Sequence, residues 1–148
     1  MTFKESSQID ASDEAGRIKD LAKQANKELV LANDVVTAVA NAAGVTLTVA
    51  GLTSSIILRS GAAGVSDLTP TAAALVAAVP NVAVGDCFDL VIRNTNTGTL
   101  TLVAGTGVTL EGTTTVAQDY ARRYQVRFTN VTSGAQAVTI SGIFTAAK

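Results

Sequence analysis

Gly107-Val108-Thr109-Leu110-Glu111-Gly112-Thr113-Thr114 lies one residue away from the phosphate-binding loop G-x-x-x-x-G-K-[ST]. In that loop backbone amides cradle phosphates and a lysine reaches them. Thr113 stands where the lysine belongs. Such a loop also needs a buried parallel strand before it and a helix after it. Here Thr99–Gly105 alternates with threonine and Thr113–Gln118 is rich in β-branched residues, so hairpin punctuation is expected. On that reading Gly105, Gly107 and Gly112 turn the chain, Val108 and Leu110 return to the core, and Glu111 marks a loop tip.

Other reactive side chains are sparse. Histidine is absent, which removes the commonest general base and metal ligand, and a single cysteine argues against zinc or iron–sulfur sites. Cys87, beside Phe88 on an expected strand, reads as a small packing residue. Asp86 and Asp89 would point to opposite faces of that strand, and Asp86 after Gly85 suits a turn. Glu111 and Asp119 are isolated. Arg122, Arg123 and Arg127 form a basic cluster, in which Arg123 and Arg127 share one strand face as either a charged interface or an ordinary solvent face. No catalytic constellation emerges, and neither enzymatic activity nor a cofactor is expected.

The elements that position these residues follow two patterns. Residues 1–34 carry five basic and seven acidic side chains, against six and five in the remaining 114 residues. From Ser12, apolar positions at Ile18, Ala22, Ala25, Leu29, Ala32, Val36 and Val39 follow helical spacing, with a stop at Asn41 or Gly44. The helix is either a coiled-coil seam between copies or an amphipathic helix on its own domain. Alanine at three of the seven positions weakens a zipper and favours the second. Phe3, Lys4 and Ile9 belong to an N-terminal arm that orders on a partner.

Beyond Gly44 the period changes to two. Phe88, Leu90 and Ile92, then Tyr124, Val126 and Phe128, then Val138, Ile140 and Phe144 each define an apolar face. Close turn signals such as Ser133-Gly134 predict an antiparallel β-sandwich or barrel. Thr69, Pro70 and the alanine-rich run up to Pro80 predict a short crossover helix with Leu75, Val76 and Val79 inward. The expected organisation is an arm and helix over 1–44 and a β-sandwich over 45–148. A net charge of −1 offers no case for nucleic acid or an anionic membrane. The N-terminus lacks the apolar core of a signal peptide, so cytoplasmic synthesis and folding are expected.

The run "ALVAAVPNVAVGDCFDLVIRNTNTGTLTLVAGTGVTLEG", with "RRYQVRFTNVTSGAQAVTISG" after it, resembles small virion proteins of tailed bacteriophages. The resemblance spans roughly Asp67 to Ile143. It implies a capsid decoration (cement) or head-fibre protein: a β-sandwich, often trimeric, on the outer capsid surface and bound to the major capsid protein. Candidate partner contacts are Phe3, Lys4, Ile9, Ile18, Leu29, Val36, Arg123 and Arg127. A tail or fibre-adaptor component is the alternative. A carbohydrate-binding module is a further one, for which only Tyr120 and Tyr124 offer aromatic platforms. No nucleic acid, membrane or small-molecule substrate is expected.

Overall fold

The computed structural model describes residues 11–31 and 35–147. Helix α1 (Ala11–Leu31) is followed by β1 (Val36–Ala40), α2 (Val49–Leu52), β2 (Ile56–Ser60), β3 (Val65–Leu68) and α3 (Ala72–Ala78). Then come β4 (Cys87–Asn94), β5 (Leu100–Val103), β6 (Val108–Glu111), β7 (Thr115–Val116), β8 (Tyr120–Asn130) and β9 (Ala137–Ala147). The architecture is mainly β, with an N-terminal helix as expected.

Two open sheets form, one in the order β1-β2-β4-β8-β9-β6 and one in the order β3-β5-β7. The expectation of an antiparallel arrangement is corrected, because both sheets are mixed. The pairs β1–β2, β2–β4, β3–β5 and β6–β9 are parallel, whereas β4–β8, β5–β7 and β8–β9 are antiparallel. Period-two patterning specifies which face of a strand is buried and leaves its neighbour and direction open. The parallel pairs need crossovers, and α2 supplies the link from β1 to β2.

The predicted inward residues of β4, β8 and β9 are buried, except that the side chain of Phe144 lies outside the described residues. Leu90, Ile92, Tyr124, Val126, Phe128, Val138 and Ile140 from the six-stranded sheet share one core with Leu100, Leu102 and Val116 from the three-stranded sheet. Phe88 meets Phe128 with ring centroids 6.2 Å apart in a tilted arrangement. Each large side chain removed from water contributes about 1.5–3 kcal/mol, so this shared core is the main source of stability. Leu75 of α3 and Val79 just beyond its end are buried in the same core, with Val76 packed against it. The cap of α3 is Thr71, which accepts from the Ala74 amide, and not Thr69. The Thr69 hydroxyl instead accepts from the amide of Gly105.

The helix expected to continue through Val39 is described over Ala11–Leu31 and does not include Val36 or Val39, while Ala32 lies outside the described residues. Val36 and Val39 belong to β1, whose sequence Val-Thr-Ala-Val-Ala pairs with β2 from Val36↔Ile56 to Ala40↔Ser60. Branched side chains lose rotamer freedom in a helix and pack well on a pleated sheet, so tertiary pairing prevails over the helical spacing. Strand β1 thus lies N-terminal to the expected 44/45 boundary and is hydrogen-bonded within the six-stranded sheet.

Candidate functional site

Strand β2 turns Ile57 and Arg59 inward, and Arg59 is fully buried. All five guanidinium donors find acceptors, as a buried Arg requires. Nε donates to Asp67 Oδ2 at 2.7 Å, and Nη1 donates to the carbonyls of Asn41 (2.9 Å) and Ser60 (2.7 Å). Nη2 donates to the Ala43 carbonyl at 2.8 Å and to Asp67 Oδ1 at 3.4 Å. Asp67 Oδ1 also accepts from the Val45 amide. Arg59 lies on the six-stranded sheet and Asp67 on the three-stranded one, so the pair joins the sheets and holds residues 41–45 between them. Both side chains are closed to solvent, and the pair is structural. Sequence reasoning missed this pair, because no local pattern shows that Arg59 and Asp67 face each other across two sheets.

The outer face of the six-stranded sheet is half apolar and half charged. Register sets Val36, Ile56, Val91 and Arg123 in one cross-strand row, and Ala38, Leu58, Arg93 and Ala121 in another. Val36 is 56% and Ile56 36% exposed, with Leu58 and Val91 half-buried beside them. On the charged half, Arg123 pairs with Asp89. The hydrogen bond from Arg123 to Asp89, reinforced by the carboxylate charge, raises the guanidinium pKa above its ordinary value. Arg127 is exposed on the same face, across from Cys87. Apolar area supplies contact energy on such a surface, while charges set orientation and partner choice.

The candidate contacts separate accordingly. Val36 and Arg123 share one row and Arg127 their face, although Val36 comes from a strand and not from the helical seam. Ile18 is 60% exposed on α1, and Leu29 lies in the same helix. Every residue from Ala15 to Ala25 is exposed, so this part of α1 is not an amphipathic helix buried on its own domain. Phe3, Lys4 and Ile9 lie outside the described residues. Arg122 leaves the basic cluster, because its Nε donates to the Thr115 carbonyl on β7.

Three further expectations change. Cys87 is exposed and not packed, because β4 alternation puts it in phase with Asp89. Glu111 is no loop tip; it ends β6 and accepts from the Ser141 hydroxyl at 3.0 Å. Tyr124 is buried, which leaves Tyr120 as the exposed one of the two tyrosines and removes the paired aromatic platform. Asp86 holds its expected turn, with Oδ2 accepting from the Ala83 amide.

The Gly107–Thr114 stretch is committed to the fold. Gly107 has φ +77°, and its carbonyl accepts from Val138, which starts β6 along β9. The amide of Gly105 donates to Thr69 and that of Val108 to Gly105, so these donors are spent internally. Residues 104–107 are not a hairpin turn, because they carry the chain from β5 in one sheet to β6 in the other.

Comparison of the chain with protein-family models, with curated proteins and with solved structures finds no match.

Proposed function

We propose that this protein is a structural virion component of a tailed bacteriophage: a homo-oligomeric decoration protein that binds the major capsid protein on the outer shell and stabilises it. The observation that carries this reading is the outer face of the six-stranded sheet. Its Val36–Ile56–Val91–Arg123 row puts exposed apolar area beside the Arg123–Asp89 pair and Arg127. Isolated apolar side chains on a surface are ordinary, whereas a contiguous apolar row rimmed by charge suits a protein contact. The resemblance of residues 67–143 to phage virion proteins supplies the identity of the partner. The fold belongs to the same reading: the two sheets stack as a sandwich, supported by the core that they share and by the Arg59–Asp67 pair between them.

The test is cosedimentation of the purified protein with assembled capsids lacking it, followed by their thermal disruption. Binding is expected, with a rise in disruption temperature that Ile56→Asp and Arg127→Glu reduce. Absence of binding to capsids refutes the proposal. Copy number separates shell from tail: hundreds of copies per particle are expected, and three to twelve would instead place the protein on the tail.

A further inference from the structure

We infer that copies of this chain associate through α1, side by side and parallel, along the stripe that contains Ile18 and Leu21. The inference rests on the homo-oligomeric part of the proposed function and names its interface.

Helix α1 keeps heptad spacing throughout. With Ala15 at position a, Ala22 and Leu29 also fall at a, and Ala11, Ile18 and Ala25 fall at d. Leu21 at g widens the stripe. The opposite positions b, c and f between 16 and 24 hold Gly16, Arg17, Asp20, Lys23 and Gln24. Between 16 and 24 the division is clean, whereas Val30 at b and Leu31 at c are apolar outside the stripe.

Among the described residues α1 leaves that stripe uncovered. Asp20, Lys23 and Gln24 on the polar side line a cleft beside Asn81, and Leu21 lines another with Arg17, Asp20 and Gln24. Ile18 and Leu21 are 60% and 68% exposed. A helix of this length is marginal alone in water and draws most of its stability from a covered apolar face. Over residues 15–25 this face is open among the described residues, and a second copy would cover it.

Charge selects a second copy in parallel register. Adjacent parallel helices bring g of one against the following e of its neighbour. The sequence sets Glu14 against Lys19 in this way, and Leu21 against Asn26, with no like-charged pair. An antiparallel pair centred on Leu21 would set Glu14 against Glu28 and repel. Small residues at a and d let the backbones approach closely.

The test uses the full chain and light scattering after size exclusion. A mass that is a multiple of 15.0 kDa is expected, falling to 15.0 kDa in Ile18→Asp/Leu21→Asp with an unchanged thermal transition of the β-unit. In a Cys87→Ser background, Ala22→Cys should crosslink under mild oxidation and Lys23→Cys should not. A monomeric wild-type chain, a double variant of wild-type mass, or equal crosslinking at both positions would overturn the inference. Capsid binding is scored separately. An oligomer that ignores capsids refutes decoration and leaves the α1 interface standing, whereas a monomer that binds them does the reverse.

Discussion

Replacing Arg59 by Met tests whether the buried ion pair holds the two sheets together. Methionine fills much of the same volume but removes all five donors. Asp67 then keeps a buried charge with the Val45 amide as its remaining hydrogen-bond donor, and the carbonyls of Asn41, Ala43 and Ser60 lose their shared partner. Breaking a buried pair by removing one member costs about 3–5 kcal/mol, because it strands the other charge. For a chain of this size each kcal/mol lowers Tm by about 2–4 °C, so the fall is roughly 6–20 °C. Arg59→Lys keeps the charge without the planar fork and should fall between the two. The double variant Arg59→Met/Asp67→Leu removes both charges and should lose clearly less than the sum of the single variants. The assay is urea and thermal denaturation followed by circular dichroism, with hydrogen exchange reporting whether residues 36–48 loosen first. A loss below about 1 kcal/mol in Arg59→Met, or strict additivity in the double variant, would refute the reasoning.

Three other outcomes are expected. The Tyr124 hydroxyl is buried without a hydrogen-bond partner among the described residues, so Tyr124→Phe should raise stability by about 1 kcal/mol in denaturant melts. Burial, opposed weakly by Arg122, pushes the Tyr124 phenol up to about 12; because the folded value exceeds the unfolded one, its contribution to stability is complete below about pH 10 and is lost as pH rises through about 12, which phenolate absorbance and alkaline unfolding will follow. Gly107→Ala should cost more than Gly134→Ala in thermal melts: both have positive φ, worth about 1–2 kcal/mol, but a Cβ at 107 also lies 2.7 Å from the Gln136 carbonyl oxygen whereas one at 134 meets open space.

Much of the β-unit was legible locally. The alternation in Phe88–Ile92, Tyr124–Phe128 and Val138–Ile140 reports burial directly, because successive strand side chains point to opposite faces. The helix from Ala72 was legible too, since proline and alanine act through backbone geometry close to where they stand. Val36 and Val39 misled because their spacing also continues the α1 seam, and only pairing with β2 resolves a pattern that fits both periods. Of the candidate surface, Arg123 and Arg127 were visible as one strand face, whereas their union with Val36 and Ile56 required three strand pairings.

The sequence by itself determined which residues turn inward on β4, β8 and the first part of β9, where α3 lies, and that α1 carries an apolar stripe. Those properties arise within a few residues of chain. Only the tertiary structure decided that the sheets are mixed, that Gly107 carries the chain between them, and that Arg59 meets Asp67. Each of these depends on which distant segment becomes a neighbour. That choice follows from closing one shared core with every buried polar group paired, a condition that no single segment contains.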